Sequence, residues 1–309
     1  MQSPAEIPRT SISAEARSWL AANPVTPREE VTLENAEQIR AATREGYAPA
    51  MAAARAEFDI REIDTEIAGV ACSEIIGGDR TDVVVLYFFG GGHVVGSPEE
   101  DIVITAPIAA ALGGRVVAPR YPLSPESPFP AASDVAVTVY RALLDSFPAD
   151  RIVVAGESAG GNLALSTMLR ARDDGLDMPA GLALFSPWGD LGYTGDSHLA
   201  DRDPALPMSD GVLQRMADSY RCGRAVDDPL VSPIHGNFAD FPPTFITSGT
   251  RDLLLSDAVR IARSMRTDGV DISLRVWEGM WHVFEFYREL PEARASASEV
   301  ATWITDQLP

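Results

Sequence analysis

From about residue 60 onward, short β-branched runs alternate with stretches of helical periodicity. The apolar runs lie at 83–89 (VVVLYFF), 115–118, 151–155 (RIVVA), 181–185, 244–248 and 272–277. Helical patterns fall between them, near 101–112, 131–146, 159–172, 255–268 and 291–307. Strands that alternate with helices predict an α/β fold: a mostly parallel central sheet flanked by helices. Runs 83–89 and 151–155 are almost continuously apolar, as strands covered on both faces require.

Two regions stand outside this alternation. Up to about residue 56 the chain is rich in Ala, Glu and Arg, punctuated by Pro24 and Pro27. It predicts two helices, near 11–22 and 32–56, the second opened by Thr32 as N-cap. Between about 188 and 241 no strand pattern occurs, and a helix near 209–220 is the one regular element expected. The expected organisation is therefore an N-terminal pair of cap helices, 1–56, and an α/β domain, 57–309, whose insertion near 188–241 adds to a helical cap.

Charge narrows the chemistry. The 309 residues carry 45 acidic and 25 basic side chains, a formal net charge of −20, and none of the basic residues is a lysine. Schiff-base, pyridoxal-phosphate and P-loop chemistry all need a lysine and are excluded. So acidic a surface repels phosphate backbones and anionic lipid, so neither nucleic acid nor a membrane is an expected partner. No apolar run approaches the ~20 residues that span a bilayer, and the N-terminus lacks the charged and apolar segments of a secretory signal. Cys72 and Cys222 form no CxxC pair. They are expected to be free thiols of a cytoplasmic protein, with no metal and no cofactor.

The sharpest local signal is Gly156-Glu157-Ser158-Ala159-Gly160, directly after the 151–155 strand and directly before the 159–172 helix. This is G-x-S-x-G in the strand–turn–helix setting of a nucleophile elbow, with the helix N-terminus aimed at the reaction centre. Its glycines do not fit G-x-G-x-x-G, which disfavours a dinucleotide site. A second glycine cluster, Phe89-Gly90-Gly91-Gly92-His93, follows the 83–89 strand. Such a loop can turn consecutive N–H groups toward an oxyanion.

A serine nucleophile needs a base, and the base needs an orienting carboxylate. The chain has four histidines: His93, His198, His235 and His282. In the order Ser, acid, His, His282 fits best, on the loop after strand 272–277. Asp252 is the first carboxylate after strand 244–248. Asp257 reads as a cap or dipole partner of the next helix, and Glu278, though nearer His282 in sequence, gains no orienting geometry from that.

These motifs together resemble the hormone-sensitive-lipase-like α/β-hydrolases, the bacterial family IV carboxylesterases. GESAGGN at 156–162 is similar to the family's nucleophile motif. The run Tyr121-Pro122-Leu123-Ser124-Pro125-Glu126-Ser127-Pro128-Phe129-Pro130-Ala131-Ala132 resembles its Tyr-Arg-Leu-Ala-Pro-Glu-x-Pro-Phe-Pro-Ala-Ala stretch. SPWGDL at 186–191, DPLVSPIHG at 228–236 and GMWHVF at 279–284 also fit. The resemblance implies an α/β-hydrolase fold with a helical cap, Ser158, Asp252 and His282 as triad, and Gly91, Gly92 and Ala159 as backbone oxyanion donors. By analogy with relatives it also implies a homodimer.

The sequence departs from the family at one place. Phe89 stands where a histidine precedes the three glycines, so it can brace the loop by packing alone, from a buried position. His93 is then expected to face the substrate pocket, together with Trp188, Met208, Leu213 and Met216 from the insertion; the alternative is that His93 reaches back and takes over the brace of the loop. The activity implied is hydrolysis of small to medium neutral carboxylic esters through an acyl-enzyme. Lactone hydrolysis by the same triad is the alternative. A non-catalytic small-molecule-binding protein on this fold is disfavoured by the presence of His282.

Overall fold

The computed structural model describes residues 11–24, 32, 34–199, 203–204 and 211–309. Its frame is an eight-stranded sheet: β1 (Arg61–Ile67), β2 (Val70–Ile76), β3 (Val84–Phe88), β4 (Arg115–Pro119), β5 (Ile152–Glu157), β6 (Gly181–Phe185), β7 (Thr244–Gly249) and β8 (Ile272–Trp277). The spatial order is β1-β2-β4-β3-β5-β6-β7-β8. Strands β4, β3, β5, β6, β7 and β8 run parallel, while β2 pairs antiparallel with β1 and β4. All six strands expected from the sequence are present within a residue or two.

Helices α1 (Ala14–Ala22), α2 (Ala36–Glu57), α3 (Ile102–Leu112), α4 (Ala131–Leu144), α5 (Ser158–Asp173), α6 (Val212–Arg221), α7 (Leu255–Thr267) and α8 (Pro291–Gln307) complete the described elements. Helix α3 packs with α8, and α4 with α5. Between such layers every residue of β3, β5, β6 and β7 is buried, which is why these strands lack an alternating polar face. The functional consequence is geometric. In a parallel sheet all crossovers return to the same edge, so the loops after β3, β5, β7 and β8 gather at one carboxyl end, where ligands of open α/β sheets bind.

Two details differ from expectation. Thr32 does not cap α2, which begins at Ala36. Its N–H (2.6 Å) and hydroxyl (3.1 Å) both donate to Asn35 Oδ1, closing a turn ahead of the helix. The β1–β2 hairpin lay hidden because its outer strand, REIDTEI, is charged and largely exposed. What makes it a hairpin is the turn: Ala68 and Gly69 both take positive φ (51° and 80°), the two-residue geometry whose twist matches the flanking strands.

Alanine in the left-handed region carries a steric cost that asparagine largely avoids. Ala68→Asn should therefore stabilise the protein by about 0.5–1 kcal/mol, read as a raised urea midpoint with unchanged slope. An unchanged or lowered midpoint would refute this account of the turn.

Candidate active site

The site is built outward from the end of β5. Ser158 opens α5 with φ 53°, a strained conformation for a residue with a side chain. The two flanking glycines permit it. A Cβ on Gly160 would overlap the carbonyl oxygens of Phe88 and Phe89, and one on Gly156 would overlap the carbonyl of Gly160. Helix and strand are thus pressed together until only glycine fits, and the serine side chain is pushed out of the turn.

Across the sheet edge, His282 Nε2 lies 2.9 Å from Ser158 Oγ, and His282 Nδ1 lies 3.1 Å from Asp252 Oδ1. Asp252 also accepts the Leu254 N–H at Oδ1 (2.9 Å) and the Ser248 hydroxyl at Oδ2 (2.8 Å). Burial alone would raise its pKa, but the pairing with His282 holds it below the usual carboxylate range. With Asp252 ionised, the neutral tautomer that donates from Nδ1 leaves Nε2 an acceptor facing the Ser158 hydroxyl.

The two loops carrying these residues cross closely. Arg251 N donates to Met280 O (2.9 Å) and Thr250 N to Trp277 O (3.0 Å), and a Cβ on Gly249 would overlap the Met280 carbonyl. From outside, α1 braces the His282 loop. Trp19 stacks on Trp281 at 4.0 Å, and Ser13, the α1 cap, donates from N and Oγ to Glu292 of α8.

The glycine loop after β3 is held without a leading histidine. Phe89 is buried and stacks on Tyr121 (4.0 Å, 8° between planes), whose hydroxyl donates to Phe89 O. Arg40 of α2 donates to Val94 O (2.9 Å) and Ser124 O (3.0 Å), itself fixed by Glu126. The Glu157 carboxyl occupies the space a Gly90 side chain would need and accepts the Gly90 N–H. Burial, and then the nearby Asp101, push Glu157 well above the usual carboxylate range.

A cavity of about 130 Å³ opens at Ser158 and His282. Gly91, Gly92, Leu213 and Met216 line it, as does Tyr47 of α2. Two residues expected there are absent. His93 turns inward at φ 61° and is buried, stacked face to face on Tyr220 at 3.6 Å. Burial lowers its pKa to about 3, more than Asn162 beside it can offset, so the ring is neutral. Trp188 is also fully buried, behind His93 and against Tyr193. Met208 lies outside the described residues. Ala159 follows Ser158 in the first turn of α5, where N–H groups have no intrahelical acceptor.

The remaining histidines and acids serve elsewhere. Asp257 is buried, accepts the Gly189 and Asp190 N–H groups and faces His198 at 3.1 Å, while His235 is exposed. Asn162, the last residue of GESAGGN, donates to Trp188 O (2.9 Å) and Val231 O (2.8 Å). It thereby lashes the SPWGDL and DPLVSPIHG segments to α5. Tyr121 and Asn162 lay inside motifs, but their hydrogen-bonding roles had no sequence signal, because their partners are distant backbone carbonyls. Among the described residues no cluster of three or more His, Cys, Asp or Glu could hold a metal ion, and no helix is long and apolar enough to cross a membrane.

Comparison with known proteins agrees with this architecture. Residues 85–286 match the family described as alpha/beta hydrolase fold. An acetyl-hydrolase of Streptomyces hygroscopicus is 37% identical over 219 residues, 70% of this chain and 73% of its own. An esterase of Acinetobacter venetianus is 30% identical over 246 residues, 77% of this chain and 80% of its own. Among solved structures, an esterase designated E25 superposes with TM-score 0.86 at 29% identity, covering 100% of this chain and 99% of that one. A hormone-sensitive lipase from a metagenome library superposes with TM-score 0.84 at 34% identity, covering 95% and 98%. With the fold, the serine elbow and these relatives in agreement, the chain belongs to the α/β-hydrolase family, among the esterases related to hormone-sensitive lipase.

Proposed function

We propose that this protein is a serine carboxylesterase acting on small, neutral carboxylic esters through an acyl-enzyme. The observation that carries the reading is the continuous hydrogen-bonded chain Ser158–His282–Asp252 at the mouth of a cavity walled by the glycine loop. His282 Nε2 takes the Ser158 proton as Oγ attacks the ester carbonyl carbon. The N–H groups of Gly91, Gly92 and Ala159 stabilise the tetrahedral oxyanion. Its collapse expels the alcohol, protonated by His282; a water, deprotonated by the same ring, then frees the acid and restores Ser158.

Substrate size follows from the walls, and substrate charge from the field of the chain. A cavity of about 130 Å³ is small beside the few hundred Å³ of drug-sized sites, which favours short acyl groups. The name of the Streptomyces relative, an acetyl-hydrolase, points the same way. The chain carries a net charge of −20, and a field of that sign disfavours anionic esters.

The direct test is turnover of p-nitrophenyl acetate. Ser158→Ala should lose at least about 10³-fold in kcat, and Asp252→Asn about 10²–10⁴-fold, because it favours the wrong imidazole tautomer. Activity retained in Ser158→Ala would end the proposal. Met216, whose sulfur would lie 2.6 Å from a Cβ on Gly92, limits acyl length. Met216→Ala should raise the octanoate-to-acetate ratio of kcat/KM by about 10-fold or more, and an unchanged ratio would place the limit elsewhere.

The glycine loop has its own test. Tyr121→Phe deletes the hydroxyl bound to Phe89 O and should lower kcat by about 10-fold through a loosened loop. His93→Phe removes no bond to that loop and should change kcat by less than about threefold. The reverse ranking would make His93 the brace.

A further inference from the structure

Asp203 belongs to the insertion between β6 and β7, ahead of α6, and it is fully buried. One atom of its side chain, Oδ2, accepts two backbone N–H groups: that of Leu253 at 3.0 Å and that of His282 at 3.0 Å. These donors sit on different loops. Leu253 directly follows Asp252, after β7, and the other amide is that of His282 itself, after β8. A carboxylate oxygen has two lone pairs, so a single atom can bridge both.

Apart from the side-chain contact of His282 with Asp252 itself, the other backbone hydrogen bonds described between the two loops lie short of these residues. Arg251 N to Met280 O, Thr250 N to Trp277 O and Gly279 N to Thr250 Oγ1 all involve positions upstream of Asp252 and His282. Asp203 joins the loops at the functional positions. A change in loop separation there moves Asp252 Oδ1 relative to His282 Nδ1, whose 3.1 Å spacing orients the ring.

We propose that Asp203 is a positioning residue for the hydrolytic reaction, setting the distance between the acid and base loops from outside both. The proposal rests on the reading of Ser158, His282 and Asp252 as the reacting groups. It gives the insertion a second task. The same segment that supplies Leu213 and Met216 to the cavity wall also holds the acid and base in line.

The test compares Asp203→Ala, Asp203→Asn and Asp203→Glu, with Ser158→Ala as reference. Turnover of p-nitrophenyl acetate is expressed per active site titrated with a fluorophosphonate, so that misfolded protein does not count, and for Ser158→Ala, which has no nucleophile to titrate, per total protein. Asp203→Ala should lower kcat by about 10²-fold with KM little changed, the size of effect expected of a misplaced reacting group. Asp203→Asn keeps an oxygen with two lone pairs and should stay within about threefold of wild type. Asp203→Glu keeps the charge but shifts the acceptor by a methylene and should fall with Ala. Combined with Asp252→Asn, the Ala change should cost much less than alone, because a ring without its orienting carboxylate has no alignment left to lose. If Asp203→Ala does not fold, the Asn–Glu contrast still decides. Wild-type kcat in Asp203→Ala, equal losses in Asn and Glu, or rescue by Glu and not Asn would overturn the proposal. Turnover surviving in Ser158→Ala would instead overturn the reading of the site on which it stands.

Discussion

A side chain on Gly160 would collide with the carbonyl oxygens at the end of β3, and one on Gly156 would collide with Gly160. That contact between α5, β5 and β3 is as close as backbones can come, and the rest of the site is arranged around it. It forces Ser158 to φ 53° and stands the hydroxyl at the sheet edge. It also sets the end of β3, from which the glycine loop leaves, against the first turn of α5. Strain of this kind persists only where the surroundings over-determine it. Here they do: the strands beneath are buried on both faces, and Trp188 N holds Ser158 O at 2.9 Å.

The loops above the sheet are secured mostly by side chains that grip backbone. Tyr121 takes Phe89 O, Asn162 takes Trp188 O and Val231 O, Arg40 takes Val94 O, and Asp257 takes two N–H groups of the SPWGDL segment. Loop backbone that cannot join a helix or strand leaves polar groups to satisfy, and burying them unpaired costs about 1–3 kcal/mol each. A polar side chain from a rigid element removes that penalty and fixes the loop at once. This explains why Asn162, Tyr121, Asp257 and Arg40 are engaged with loop backbone although none of them touches Ser158.

The abundance of carboxylates extends into the interior. Asp101, Glu157 and Glu285 are buried and held above the usual carboxylate range, in each case by burial first. Asp252 is buried as well, yet His282 draws it the opposite way. The contrast separates the carboxylate that faces His282 from those that accept hydrogen bonds from hydroxyls and backbone amides. Glu285 receives Thr247 Oγ1 at 2.9 Å and Ser296 Oγ at 2.7 Å, and Asp101 receives the Tyr87 hydroxyl at 2.8 Å. In a chain without lysine, hydroxyls and backbone amides are the partners of these interior carboxyl groups.

Period and spacing along the chain were enough to read the parallel strands, the serine elbow, and the strand ends from which Asp252 and His282 project. All three depend on neighbours within a few residues: apolar runs, glycines flanking a serine, a first acid after a strand. The β1–β2 hairpin escaped because an exposed edge strand has no buried face to leave a pattern, and its turn uses an alanine at positive φ. His93 was expected at the cavity, but its own left-handed backbone and the ring of Tyr220, far along the chain, turn it into the core. Trp188 is buried for the same kind of reason, by packing against residues from other segments. Asp203 had no local signal at all, because what marks it is the meeting of two loops that diverge in sequence and converge in space. Local sequence determines which backbone a segment adopts and where chemistry-bearing residues leave the sheet. Which way a side chain faces, and what it holds, is decided by burial among distant parts of the chain, and that exists only once the chain has folded.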